Sequence, residues 1–232
     1  MNFEELKQES SKTGIILNDE MIDKLDKYAD LLKEWNEKMN LTAIVEKEEV
    51  IDKHFFDSLL LLNYVDKCET LADIGTGAGF PGMVIAIAKP EIKVTLIEPT
   101  GKRCTFLETI KKELSLNNVE IINQRAEECV SIYREMYDVV TARAVANLQI
   151  LAELCIPFVK INGKFISMKG SLGEEEAKLA KHAFKELGAS EPIVESSSLL
   201  DGSKRIFVIG EKIKETPSKY PRAYAKIKKK PL

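Results

Sequence analysis

The chain has 232 residues, 44% of them apolar and 31% charged, with a net charge of −3; that is enough for one sizeable α/β core with an extension. It holds no apolar run of about 18 residues, which excludes a helical membrane span. There are only two histidines, and the four cysteines (Cys68, Cys104, Cys129 and Cys155) are scattered without paired spacing, so reduced core thiols are expected rather than a metal centre or a disulfide frame.

Residues 1–10 are polar and acidic with no apolar signal region, so a cytoplasmic protein is expected. Nothing calls for an obligate subunit interface, and a monomer is expected. Phe3 and Leu6 open a short helical pattern. Asn18, Asp19 and Glu20 form a cap-like run ahead of Met21, Ile22, Leu25, Tyr28, Ala29, Leu32 and Trp35, whose spacing predicts a helix with these side chains in the core. A polar loop over 36–44 leads to a third helix carrying Val50, Ile51, Phe55, Phe56, Leu59, Leu60 and Leu62. Residues 1–66 thus read as a helical cap. In the third helix His54 and Asp57 share a face, either as a histidine held by its acid at a helix–sheet seam or as a pair bordering a ligand site.

From Thr70 onward strand and helix patterns alternate, which predicts βαβ units and a mostly parallel sheet, a Rossmann-like α/β domain over 67–213. Strands are expected at 71–74, 93–98, 119–123, 137–143 and 163–169, with helices at 81–88, 101–114, 126–133, 148–158 and 172–187. Segments 190–196 and 204–211 flank the turn-like Leu200-Asp201-Gly202-Ser203 and predict a closing antiparallel hairpin. The tail, 214–232, carries Lys219, Arg222, Lys226, Lys228, Lys229 and Lys230 with no acid from Lys219 on. Charge alone leaves two readings for it, a frayed soluble end and an RNA-facing arm.

Residues 71–82, L-A-D-I-G-T-G-A-G-F-P-G, organise the domain. A strand, a glycine-dense turn and a helix start make a nucleotide-cofactor cradle, with glycines for close backbone approach and unpaired helix amides as donors. Gly77, Gly79 and Gly82 fit the dinucleotide pattern, with Glu98 about 20 residues on as the ribose-binding acid. Asp73, before the first glycine, would repel a pyrophosphate and hold a cationic ligand end, which favours S-adenosylmethionine over a nicotinamide cofactor. In open sheets the ligand lies beyond the carboxyl ends of the strands. Those ends offer Asp73 and Gly75, then Glu98, then Arg125, Ala126 and Glu127, then Thr141 and Arg143, then Lys169 and Gly170.

Absences narrow the acceptor of a methyl group. The fourth strand is not followed by the Asn/Asp-Pro-Pro-aromatic tetrapeptide that orients exocyclic nitrogens, and no cysteine stands at a strand end to attack a pyrimidine. Guanine N7 has a free lone pair and no proton to lose, so its methylation needs positioning rather than a general base. Arg143 could orient such a base, pair with Glu127 or Asp138, or meet the carboxylate of the cofactor's methionyl part.

With these residues assembled, the chain resembles the bacterial 16S rRNA guanine-N7 methyltransferase family, RsmG, also called glucose-inhibited division protein B. The similarity covers almost the whole length. It is carried by Asn40-Leu41-Thr42-Ala43-Ile44, His54-x-x-Asp57-Ser58, the loop from Asp73 to Gly82, Gly101-Lys102-Arg103 with Phe106-Leu107, Arg125-Ala126-Glu127, Arg143-Ala144, Lys169-Gly170 and Tyr220-Pro221-Arg222. The resemblance implies a class I S-adenosylmethionine-dependent methyltransferase acting on 16S rRNA of the small ribosomal subunit. It implies cofactor contacts at Gly75, Phe80, Glu98, Pro99, Thr100, Ala126, Glu127 and Arg143, beside Asp73, Gly77 and Gly79 of the cradle. His54, Arg125, Lys169, Arg205 and Arg222 match basic positions at the pocket mouth, and His54, Arg143 and Lys169 are the expected positioning groups for catalysis. Toward RNA the resemblance adds the tail, with Lys226, Lys228, Lys229 and Lys230. The chain departs from the family at Ala223-Tyr224-Ala225-Lys226-Ile227, where a glycine- and proline-bearing tail is usual, and at Thr141, where serine is common. Two rival readings remain distinguishable by experiment, a NAD(P)-dependent oxidoreductase and a non-catalytic RNA-binding module on the same scaffold.

Overall fold

The computed structural model describes residues 1–65, 67–143 and 146–232. Three short-range devices bound the first two helices. Asn2 and Glu5 form a reciprocal capping box on α1 (Phe3–Lys12), the Asn18 side chain accepts from the Met21 amide at the start of α2 (Asp19–Met39), and Asn40 ends α2 in the left-handed region, each satisfying end groups that a bare helix leaves open.

The third helix is not the single α-helix that its periodicity predicts. It runs as α3 (Lys47–Val50), a π-helical segment Ile51–Phe56, α4 (Asp57–Leu59) and a 3₁₀ segment Leu60–Tyr64. Side chains compete for its carbonyls: Ser58 Oγ donates to the His54 oxygen at 2.5 Å and Arg143 to the Lys53 oxygen at 3.3 Å. Widened turns arise where such groups enter the helical ladder, and they gather at functional sites.

A seven-stranded sheet follows. In chain order its elements are β1 (Thr70–Ile74), α5 (Gly82–Ala88), β2 (Lys93–Ile97), α6 (Gly101–Glu113), β3 (Val119–Ile122), α7 (Ala126–Tyr133), β4 (Tyr137–Arg143), α8 (Leu148–Cys155), β5 (Val159–Lys169), α9 (Gly173–Glu186), β6 (Ile193–Ser198) and β7 (Lys204–Glu211), with α10 (Tyr224–Lys229) in the tail. The strand order is β3-β2-β1-β4-β5-β7-β6. The first five strands are parallel, and β7 runs antiparallel to both β5 and β6, as the hairpin pattern predicts. Helix α8 stops at Cys155, ahead of a 3₁₀ turn holding Pro157, which has no amide to continue the ladder. Strand order reverses between β1 and β4, and that crevice is where an open α/β sheet binds its ligand.

Alternation along the strands divides the core. Leu71, Val139, Ile166 and Phe207 pack with α2, α5, α6 and the N-terminal cap, whereas Ala72, Val140, Phe165 and Val208 pack with α7, α8, α9 and the tail. The tail is docked, not frayed. Ile227 is fully buried and Tyr220 nearly so, and Arg222 grips the buried Glu153 bidentately, Nε to Oε1 at 2.8 Å and Nη2 to Oε2 at 2.6 Å. Replacing Arg222 by Met leaves the Glu153 carboxylate buried without its partner, so urea denaturation should show a loss of about 3 kcal/mol. A change below about 0.5 kcal/mol, typical of surface sites, would mean that the tail contributes nothing to the fold.

Candidate active site

At the β1–β4 crevice lies a cavity of about 390 Å³, within the range of small-molecule sites. The glycine loop forms its floor. Gly75 and Gly77 stand at φ of 68° and 62°, and at Gly77 a Cβ would meet only open space, so glycine is required there by backbone conformation. Gly79, at φ 99°, is limited by space as well: a Cβ would lie 2.5 Å from the Tyr28 hydroxyl. That hydroxyl, carried from the cap by α2, donates to the Ala78 carbonyl.

Two carboxylates hold the loop. Glu98, almost wholly buried, accepts from the Gly77 amide at 3.0 Å and the Thr100 amide at 2.9 Å; it borders the cavity with Pro99, Thr100 and Arg103. Asp73 is fully buried behind the loop and does not line the cavity. Its Oδ2 accepts from Thr76 Oγ1 at 2.6 Å and the Gly82 amide at 2.8 Å, while Oδ1 has no partner among the described residues. Burial pushes its pKa up to about 6 against the opposing Thr76 and Gly82 bonds. The direct grip on a cationic ligand expected of Asp73 is thus, in this structure, first a grip on the loop, because the carboxylate is enclosed by the backbone it fastens.

The opposite wall is built on Phe80. Its ring is stacked with Tyr28 (centroids 5.5 Å apart) and with His54 (4.4 Å), and the Arg143 guanidinium lies over it at 5.0 Å. His54 is not held by Asp57. Its Nε2 lies 2.9 Å from Thr42 Oγ1 and its Nδ1 3.2 Å from both Arg143 Nη2 and the Lys53 carbonyl oxygen; a neutral ring answers one of the two at Nδ1, accepting from the arginine or donating to the carbonyl. Desolvation, then the Arg143 charge, lowers the His54 pKa to about 3, so the ring is neutral.

Arg143 pairs with neither Glu127 nor Asp138. Its partner is Asp57, at 2.9 Å, and Asp57 is shared with Arg205. Asp138 instead receives Lys160 and the Thr70 amide and hydroxyl. Lys169, expected to face substrate, is tied to Glu176 at 2.9 Å and to the Ala146 carbonyl, away from the cavity walls. Arg205 and Arg222 are likewise occupied by acids. Ala126 and Glu127 open α7 at the same sheet edge without lining the cavity, and Ala144 lies outside the described residues. Arg125 is exposed, its guanidinium 5.6 Å from the Tyr224 ring of α10, and Lys226, Lys228, Lys229 and Lys230 are exposed. Tyr28, Thr42 and Arg103 were not singled out for the site by sequence reasoning. Tyr28 reads as one more core residue of a helical stripe, and only its hydroxyl set it apart.

A sheet of this order, parallel but for the antiparallel β7 set between β5 and β6, with a glycine loop after β1 and an acid after β2, has the architecture of the class I methyltransferases. Solved structures of that class share the fold. M. jannaschii TYW2 in complex with AdoMet superposes with TM-score 0.56 at 17% identity, covering 74% of this chain and 80% of that one; a 16S rRNA adenine-N1-methyltransferase from Catenulisporales acidiphilia gives 0.52 at 14%, covering 67% and 87%. The family described as rRNA small subunit methyltransferase G, GidB, matches residues 21–202. Relatives named ribosomal RNA small subunit methyltransferase G are 46% identical in Acetivibrio thermocellus (96% of this chain, 93% of the relative) and 43% identical in Bacillus subtilis (100% and 99%). The chain belongs to this family.

The two buried titrating groups pull against each other. His54 is neutral in the fold, while the unfolded chain takes a proton below its ordinary value of 6.5; its contribution is whole above 6.5 and is lost as pH falls towards 3. Asp73 holds a proton in the fold up to about 6 that the unfolded chain releases above 3.8; its contribution is whole below 3.8 and is lost as pH rises through 6. The slopes cancel between about pH 4 and 6. Relative to wild type, His54→Asn should lose stability as pH rises through that window and Asp73→Asn should gain it, each by up to about 1.4 kcal/mol per pH unit. Denaturation curves with slopes of the same sign in both variants would refute the assignment.

Proposed function

We propose that the protein uses S-adenosylmethionine to methylate guanine N7 in 16S rRNA of the small ribosomal subunit. The observation that carries the cofactor assignment is Glu98, a buried carboxylate at the cavity wall that braces the glycine loop and keeps lone pairs for the ribose hydroxyls. Gly77 leaves the backbone open to close approach, and Asp73, buried behind the loop, adds negative charge at short range.

When bound, S-adenosylmethionine supplies an electrophilic methyl group on its sulfonium. The protein's own contribution is placement. Gly75 and Gly77 shape the floor, Glu98, Pro99 and Thr100 would hold the adenosine end, and Arg143, over the Phe80 ring, would offer a fixed cation to the methionyl carboxylate. His54 is a poor proton acceptor at a pKa of about 3, which suits an N7 acceptor that has no proton to lose. Positioning and desolvation, rather than proton transfer, then carry catalysis.

Toward RNA, the tail supports an electrostatic arm. Gln149 Nε2 donates to the Leu232 carbonyl at 2.6 Å, and Arg125 sits over Tyr224; both neighbours start helices at the carboxyl edge of the sheet, so α10 stands beside the cavity's side of the molecule. The exposed Lys226, Lys228 and Lys229 of α10, the adjoining Lys230 and Arg125 would grip phosphates, fixing the RNA without reading its sequence.

Glu98→Ala should weaken S-adenosylhomocysteine binding by about 10- to 100-fold in calorimetry and abolish methyl incorporation into small subunits from cells lacking the enzyme. Undiminished binding would remove the cofactor assignment, and NADH binding in its place would favour an oxidoreductase. Replacing Lys226, Lys228, Lys229 and Lys230 together by Ala should reduce the slope of log K against log salt for rRNA fragments by up to about 3, with S-adenosylhomocysteine affinity unchanged. An unaltered slope would leave the tail with a folding role only. Mapping the base that receives a labelled methyl group tests the N7 acceptor directly.

A further inference from the structure

Asp57 lies outside the cavity and is fully buried, yet three parts of the fold meet at its carboxylate. It sits on α4 of the cap; Arg143 reaches it from the end of β4, with Nη1 at 2.9 Å from Oδ2; Arg205 reaches it from β7, with Nε at 2.5 Å from Oδ1 and Nη2 at 2.6 Å from Oδ2. Among the described residues no other acid lies within ion-pair distance of either arginine. Two guanidiniums against one carboxylate leave the cluster with one net positive charge. Arg143 is the member that lines the cavity. Three of its N–H groups are engaged, by Asp57, the Lys53 carbonyl and His54 Nδ1, out of the five that a guanidinium carries.

We infer that Asp57 is a positioning residue for the cofactor: clamped by the Arg205 fork, it fixes the Arg143 guanidinium against Phe80 and His54 in the orientation that receives a carboxylate from the cavity. This rests on the methyltransferase reading above. Arg205 is then a member of the clamp rather than an RNA contact. A planar guanidinium recognises a carboxylate only when its fork is aimed, and Arg143, reaching across from β4, is aimed by the acid it meets on the cap.

Orientation and net charge make opposite predictions. Asp57→Asn raises the cluster's positive charge, so a purely electrostatic role would tighten binding of a carboxylate ligand, whereas loss of aim weakens it. The experiment compares calorimetric affinities for S-adenosylhomocysteine and its decarboxylated amine analogue in wild type, Asp57→Asn and Arg205→Lys. We expect Asp57→Asn to weaken S-adenosylhomocysteine by about 10-fold while the analogue changes less than about 3-fold. Arg205→Lys, which keeps the charge and loses the fork, shifts the same ratio in the same direction by a smaller factor. That variant lies at the partly exposed end of the cluster and tests the idea even if Asp57→Asn does not fold. An unchanged ratio with a lowered melting temperature assigns Asp57 a structural role only and overturns the inference, as does tighter S-adenosylhomocysteine binding by Asp57→Asn. Failure of the wild-type protein to bind S-adenosylhomocysteine at all would instead strike the cofactor reading itself.

Discussion

A loop rich in glycine can approach a ligand closely only because nothing in its own side chains holds it still. Here the holding is done from outside by two buried carboxylates and one phenol. Asp73 fastens Thr76 and Gly82, Glu98 fastens Gly77, and Tyr28 takes the Ala78 carbonyl. Each bond removes freedom that glycine would otherwise keep, and each places a charge or dipole at a site meant for a charged ligand. The acids thus serve the fold and the site with the same atoms. Asp73 carries a cost for this, since its enclosure raises its pKa to about 6 and leaves Oδ1 buried without a partner among the described residues.

The N-terminal cap is part of the same device. Tyr28 and His54 enclose Phe80 from two helices of the cap, and Asp57 from α4 meets the arginines of β4 and β7. The wall opposite Glu98 is therefore assembled from segments far apart in the chain. The π-helical turn at Ile51–Phe56 belongs to this assembly, because the Lys53 and His54 carbonyls within it accept from Arg143 and Ser58.

What was legible in the chain follows from range. The strands announced themselves as short apolar runs alternating with helical patterns, and the loop through glycines that reach the left-handed region without strain. Both signals are local. The partners of ionic side chains are not. His54 and Asp57 are neighbours on a helix and invite pairing, but Asp57 has two guanidiniums within reach once β4 and β7 are in place, and a bidentate charged partner outcompetes a buried neutral imidazole. Lys169 likewise stands at the expected strand end, and only the fold brings Glu176 and the Ala146 carbonyl to it. The break in the third helix had no signal in its apolar spacing, because it depends on donors from elsewhere.

The basic residues separate by chemistry as well as by place. Arg143, Arg205 and Arg222 all lie against buried acids, the use for which a planar, weakly hydrated fork is suited. Lys226, Lys228, Lys229 and Lys230 remain at the surface, as compact and strongly hydrated charges that meet phosphates without fixed geometry. The arginines therefore organise the interior of the site and the tail's docking, and what they anchor is a short helix whose lysines are left for long-range attraction. On this division, a protein of net charge −3 need not be basic overall to engage RNA. What such a protein would need is exposed cations gathered on one edge, and the Arg222–Glu153 pair, with Ile227 buried behind it, fixes the short helix that carries them.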